Sequence, residues 1–345
     1  METPTSCPNV GDKCSDGSLF AGFLFYGATC KQVFVTDDNQ SASSQWKTAT
    51  GTNDITDPAD RYDEVDGQYN RDNRGGGTFP AFELCENNTY HGKSDWYLPA
   101  RVELNLLRLN QAAIDVNAAG NFAASKYWSS TEFNGDPNTA WYQGFSTLGG
   151  DQHDSTKTVN YAVRCVRAEV APAGGGGLTG PSGCANIGDL CADGTVFAGW
   201  NPITSAHLFI PTVDQEQPGS PGTYTMMWKN AQGTDDISPD STDDGQVNHA
   251  NRGGAIGDFQ AFQTCEDLSF GGQTDWYLPS QVELYYIWSV RGTIEAGGNI
   301  TNFQNADYWS STEYTTNRAW LQTFTDGGQH NFSKTNAYRV RCVRR

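Results

Sequence analysis

The sequence predicts an α+β fold that is present twice, each copy carrying a small antiparallel sheet, two helices, long surface loops and two disulfides. Three observations lead there. First, Tyr308-Trp309-Ser310-Ser311-Thr312-Glu313, Ala319-Trp320, Gln329-His330 and Val340-Arg341-Cys342-Val343-Arg344 repeat an earlier series in the same order. That series is Tyr127-Trp128-Ser129-Ser130-Thr131-Glu132, Ala140-Trp141, Gln152-His153 and Val163-Arg164-Cys165-Val166-Arg167, so the chain is a tandem duplication. Second, eight of the nine cysteines recur: Cys7, Cys14, Cys85 and Cys165 return as Cys184, Cys191, Cys265 and Cys342, leaving Cys30 without a counterpart. Third, each copy holds an apolar segment of helical period and several short aromatic, β-branched runs bounded by Gly and Asn.

Each copy opens on an Asp-Gly turn, Asp16-Gly17 or Asp193-Gly194, followed by the apolar run Leu19-Phe20-Ala21 or Val196-Phe197-Ala198, which reads as the entry to a strand. A second strand, Val33-Phe34-Val35 or Leu208-Phe209-Ile210, is expected to pair with it. Two acidic stretches follow, without helical or strand period, and read as loops through Asn73-Arg74-Gly75-Gly76 and Asn251-Arg252-Gly253-Gly254. After them, Phe79 to Asn87 and Phe259 to Asp267 place a cysteine among apolar residues at helical spacing. Beyond Leu98-Pro99 and Leu278-Pro279 a second helix begins, and in the later copy Ser280-Gln281-Val282-Glu283 is a capping box. Ala100 replaces the cap in the earlier copy, which predicts a start weaker by roughly 1 kcal/mol. The closing third is strand and turn. The expected boundaries are 1–168 for the first domain, 169–183 for a Gly/Pro-rich linker and 184–345 for the second.

Cysteine usage implies an oxidising compartment. The pairing assigned is Cys7 with Cys14, Cys85 with Cys165, Cys184 with Cys191 and Cys265 with Cys342; four cysteines permit three connectivities, and these remain open at this point. Cys30 is read as a buried thiol or a bridge to another chain. The formal charge of −18 repels a polyanion at long range and excludes nucleic acid as a partner, although Arg339, Arg341, Arg344 and Arg345 form a local basic run. No apolar run reaches the roughly 20 residues of a membrane span. Met1-Glu2-Thr3-Pro4-Thr5 lacks the basic start and apolar stretch of a signal peptide, so secretion would require a targeting segment removed or replaced.

Cofactors are not expected, with Ca2+ as the one candidate. Asp54, Asp57, Asp60, Asp63 and Asp66 in the first acidic stretch, and Asp235, Asp236, Asp240, Asp243 and Asp244 in the second, crowd oxygen ligands together but lack EF-hand spacing. Catalysis is not expected either: Ser129 and Ser310 have no nucleophile elbow and no base placed for them.

The series of a helical Cys, Ser94-Asp95-Trp96-Tyr97-Leu98-Pro99 with a helix, Tyr-Trp-Ser-Ser-Thr-Glu, Ala-Trp and Val-Arg-Cys-Val-Arg resembles the C-terminal domain family of the Legionella collagen-like adhesin, a branch of the C-type lectin-like folds. The resemblance covers both copies. It implies two tandem C-type lectin-like domains on a bacterial surface, pilus-associated or phage-related protein. It also implies adhesion to a glycan, for which this acidic chain is poorly suited if the glycan is sulfated. The expected function is therefore a non-enzymatic extracellular binding protein whose loops meet a surface glycan or protein. The alternative is a structural subunit that assembles with copies of itself into a filament. Candidate ligand-binding residues, taken from the diverging loops, their flanks and the recurring His, are Glu132, Asn134, Asp136, Asn138, Trp141, Gln143 and His153 in the first, with Glu313, Asn317, Arg318, Trp320, Gln322 and His330 in the second.

Overall fold

The structure is a computed structural model and describes residues 4, 6–26, 29–55, 66–133, 136–145, 152–170, 182–201, 206–217, 219–234, 236–238, 240–242, 244–325 and 327–345. The chain falls into two compact units, Met1–Gly177 and Leu178–Arg345. Among the described residues no helix is long and apolar enough to cross a membrane.

In the first unit β1 (Leu19–Tyr26) pairs antiparallel with β2 (Thr29–Val35), as the apolar runs predict. β3 (Ser41–Gln45) follows, then α1 (Gly67–Asp72), α2 (Pro80–Glu86), α3 (Arg101–Leu109) and α4 (Gln111–Asn117). β4 (Lys126–Glu132), β5 (Thr139–Gly144), β6 (Gln152–Thr156), β7 (Asn160–Val163) and β8 (Val166–Val170) complete it. The second unit repeats the plan with β9 (Val196–Trp200), β10 (His207–Ile210) and β11 (Thr225–Met227), then α5 (Gly245–Asn251), α6 (Gln260–Glu266), α7 (Gln281–Ser289) and α8 (Arg291–Ala296). It closes on β12 (Asp307–Thr315), β13 (Arg318–Thr323), β14 (Gln329–Ser333) and β15 (Ala337–Arg339).

The α+β class holds, but the expected single sheet of each unit is divided. In the first, β1-β2-β8 is one sheet and β3-β7-β4-β5-β6 another; in the second, β10-β9 and β11-β15-β12-β13-β14. The larger sheets are mixed, since β4 pairs parallel with β7 at Tyr127 and Ala162, and β12 with β15 at Tyr308 and Arg339. The short return runs, too brief to announce a direction in sequence, make these parallel contacts. β8 also takes Glu169 and Val170, opposite Gln32 and Lys31, from the stretch expected to be linker; residues 171–181 of that linker lie outside the described residues.

Among the described residues each unit carries four α-helices, against the expected two. α1 and α5 arise where the acidic stretches read as loops, because Asp66 and Asp244 cap them: Asp66 accepts from the Gln68 and Tyr69 N–H groups, Asp244 from that of Val247. Their first residue must be Gly, since a Cβ on Gly67 or Gly245 would lie 2.3 or 2.4 Å from the carbonyl oxygen of Leu98 or Leu278. α7 carries the capping box in full, Ser280 accepting from the Glu283 N–H at 3.2 Å and Glu283 from the Ser280 N–H at 2.9 Å. At α3 only the Glu103 half remains, 2.7 Å from the Ala100 N–H. α4 and α8 extend these helices after a break at Asn110 and Val290.

The cores are matched. Trp46, Phe79, Phe82, Trp96, Trp128 and Cys165 pack in the first unit; Trp228, Phe259, Phe262, Trp276, Trp309 and Cys342 pack in the second. Disulfides join Cys7 to Cys14, Cys85 to Cys165, Cys184 to Cys191 and Cys265 to Cys342. The longer bridge ties α2 to the break between β7 and β8, and α6 to the segment just after β15. Cys30 is unbridged and half-buried against the Cys7, Cys14 and Phe34 cluster.

Candidate functional site

The motif with the most polar chemistry, Tyr-Trp-Ser-Ser-Thr-Glu, lies on β4 and β12 and is buried throughout. Each polar side chain has a partner. Ser129 Oγ donates to the Trp141 carbonyl at 2.9 Å, Ser130 Oγ accepts from Asn70 Nδ2 at 2.9 Å, and Thr131 Oγ1 accepts from the Arg101 N–H at 2.9 Å. Ser310, Ser311 and Thr312 do the same with Trp320, Asn248 and Gln281. The two indoles anchor the sheet: Trp46 Nε1 donates to Ser129 O and Trp128 Nε1 to Ser44 O, and Trp228 and Trp309 repeat both bonds.

Glu132 and Glu313, expected to face a ligand, are instead at the centre of a buried charge network. Lys157 Nζ contacts Glu132, lies 2.8 Å from Asp54 Oδ2, and donates to the carbonyls of Thr52 and Pro137. Glu132 also accepts the N–H groups of Asp54 and Ile55, while Lys47 meets the other Asp54 oxygen. Lys334, Glu313, Asp236, Ile237 and Lys229 rebuild this network in the second unit. Burial alone would raise the Asp54 and Asp236 carboxyls, but their lysine hydrogen bonds prevail and both are lowered. Burial raises Glu313.

This settles where several candidates lie. Asp54 and Asp236 are committed to lysines, Asp66 caps α1 and pairs with Lys31, and Asp244 caps α5 and pairs with Arg345. Asp240 accepts from the Glu313 N–H. Asn134 and the calcium candidates Asp57, Asp60, Asp63, Asp235 and Asp243 lie outside the described residues. Among the described residues no three His, Cys, Asp or Glu side chains gather as a metal cluster. The C-terminal basic run is neutralised: Arg341 is buried on Asp214, Arg339 shares that carboxylate, and Arg344 pairs with Asp275.

Trp141, Gln143, Trp320 and Gln322 are buried on β5 and β13, facing α3 and α7. Their strand position, which period alone does not orient, removes them from the loop surface. His153 is exposed on the edge strand β6 and His330 half-exposed on β14; Asn317 and Arg318 are exposed. Asp136 and Asn138 are half-exposed and bonded to each other, Asn138 Nδ2 to Asp136 Oδ1 at 2.6 Å.

Sequence reasoning missed the buried layer between α3 and β5–β6. There the Arg101 guanidinium lies 4.1 Å above the Trp141 ring and Gln152 Nε2 donates to Arg101 O at 3.2 Å. Arg101 and Asn105, one turn apart on the same face of α3, were its only signal.

No curated protein matches the chain. A comparison with solved structures returns a fimbrial protein from Bacteroides ovatus ATCC 8483, 13% identical over 64% of this chain and 63% of that one. The chain thus spans less than two thirds of that protein, and at a TM-score of 0.28 the likeness carries no argument. The profile of the Lcl C-terminal domain matches twice, at residues 33–167 and 220–344, and its two spans take in both buried networks and both long disulfides: the chain belongs to the Lcl C-terminal domain family, as a tandem repeat.

Proposed function

We propose that this chain is a non-enzymatic extracellular binding protein, two C-type lectin-like domains that present loops to a glycan or protein on another surface. Family membership points to an extracellular adhesion or surface-associated role. One observation carries the finer reading. The residues able to do chemistry, Ser129, Ser130, Glu132 and their repeats, are spent on structural bonds that are the same in both units, while the connections after Glu132 and Glu313 differ in length and composition. A rigid framework carrying divergent loops is the arrangement of a recognition module. Among the candidates, the accessible subset is Asp136, Asn138, His153, Asn317, Arg318 and His330. Two domains on one chain gain avidity if both engage the same surface.

The test is a glycan array probed with the full chain, with and without Ca2+, alongside light scattering and electron microscopy. Saturable binding that Arg318→Ala or His153→Ala weakens supports the reading. No binding, together with regular filaments, overturns it in favour of a self-assembling subunit.

A further inference from the structure

In each unit α2 or α6 lies over one edge of the larger sheet, at β3 or β11. Toward the opposite edge, β5–β6 or β13–β14, the same face reaches solvent, and there the two copies differ in chemistry. In the first unit Lys126 Nζ stands 4.4 Å above the Tyr142 ring and 5.2 Å above that of Tyr161, and the two phenol rings are 5.0 Å apart. Ser155, on the edge strand, meets the Tyr161 hydroxyl at 3.0 Å. Lys126 is half-buried, and among the described residues it has phenols for neighbours and no carboxylate. In the second unit Asp307 stands for Lys126, Leu321 for Tyr142 and Phe332 for Ser155, while Tyr338 repeats Tyr161. Asp307 Oδ1 accepts from Thr323 Oγ1 at 2.7 Å, and among the described residues no cation lies beside it. Phe332 is 40% exposed, its ring 5.7 Å from that of Tyr338. An unpaired cation on a shelf left bare at Ser155 thus matches, position for position, an unpaired anion beside a projecting ring.

We propose that the first-unit face of one copy docks on the second-unit face of another, Lys126 pairing with Asp307 and Phe332 covering the Tyr142–Tyr161 shelf. The charges select a second copy of this chain as the occupant. Other cations, among them Lys13, Lys31, Arg74 and Arg344, are already held by carboxylates of their own unit, so Lys126 is set apart by what it lacks. The formal charge of −18 makes copies repel at a distance. At about 0.15 M salt that repulsion is screened beyond about 8 Å, whereas a contact ion pair and a covered ring act where the surfaces touch. A face that meets a different face makes a heterologous contact, which propagates from copy to copy or closes as a ring. The inference goes beyond the binding function, and copies joined in this way bring several sets of loops to one target.

The experiment is sedimentation velocity with light scattering on the full chain, over a wide concentration range at about 0.15 M salt. The samples are the parent, Lys126→Asp, Asp307→Lys, the two reversals combined, and Phe332→Ser. The parent's mass is expected to rise with concentration. Each single reversal sets like charges against each other and should weaken association by about tenfold or more. Phe332→Ser removes the aromatic anchor and should do the same, by about tenfold. It also gives the second unit the residue that the first already carries there, so its fold is kept. The combined reversal rebuilds the pair with its signs exchanged and should bring association back toward the parent's. A parent that stays monomeric at every concentration overturns the proposal. So does association that survives Lys126→Asp and Phe332→Ser, or that the combined reversal fails to restore. None of these variants alters His153, Arg318 or His330, so a glycan array on the same samples reads the binding function separately.

Discussion

Replacing Lys157 with Met keeps the aliphatic stem that packs beneath Trp46, whose ring centre lies 4.9 Å from Nζ, and removes only the charge. The structure sets the cost. Lys157 is fully buried and is the shared cation of Glu132 and Asp54. At the 2.8 Å separation from Asp54, an effective dielectric of 20 gives an attraction of about 6 kcal/mol, before the dehydration of the ammonium is subtracted. Breaking a buried pair on one side typically costs about 3–5 kcal/mol, since the stranded charge remains. Glu132 would keep its backbone donors and Asp54 would keep Lys47, which places the expected loss toward the lower end of that range. With a urea slope of about 2 kcal/mol per M, the first unit's midpoint should fall by roughly 1.5 M. Urea denaturation followed by peptide-resolved hydrogen exchange reads the two units separately. The second unit should be unmoved by Lys157→Met and should respond alike to Lys334→Met. Adding Glu132→Gln to Lys157→Met should recover part of the loss. A loss below about 1 kcal/mol, or no recovery in the double variant, would refute the view that the network is a balanced set of buried charges.

Ala100→Ser should stabilise the first unit by about 1 kcal/mol, completing the box that Ser280 completes at α7; a calorimetric scan checks it. Acid should weaken the second unit in two stages. Burial lowers His249, whose Nε2 accepts from the Leu278 N–H, so its contribution is full above its ordinary value of 6.5 and is lost as pH falls below it. Glu266, lowered from 4.5 to about 2 first by His249 and also by Arg252, contributes above 4.5 and loses that contribution as pH falls toward 2. Solvent reaches Glu266, and screening limits its share to about 1 kcal/mol; Glu266→Gln should flatten the lower stage of the stability curve. Replacing both Cys85 and Cys165 with Ala should cost the first unit about 2–4 kcal/mol, measured by urea midpoint under oxidising conditions.

Much of this fold was legible because the chain states it twice. Repetition separated Cys30 from the paired cysteines, and the capping box at Ser280 and the apolar runs at Leu19 and Val196 carry their structure locally. What was not legible depends on distant partners. Glu132 reads as a loop-edge acid until Lys157, far along the chain, is brought against it. The helices at Gly67 and Gly245 are short and polar, held by a cap and by contact with the Leu-Pro turn rather than by an apolar period. The parallel contacts at Ala162 and Arg339 are single register points that no pattern signals. The Asn105 layer was hidden for a related reason, since a polar residue inside a helix reads the same whether it faces water or the protein interior.

The strand that ends the first unit, β8, pairs along its length with β2 near the beginning, and in the second unit Arg344 exchanges backbone bonds with Phe209. The earliest segments of a unit therefore wait for the last ten or so residues before either can be completed, and the long disulfide forms only then. For a polypeptide threaded outward as it is made, this postpones closure until a whole unit has emerged, and keeps it extended during passage. It also sets its entry and exit side by side, so that copying the segment end to end adds a self-contained body without opening the one already there.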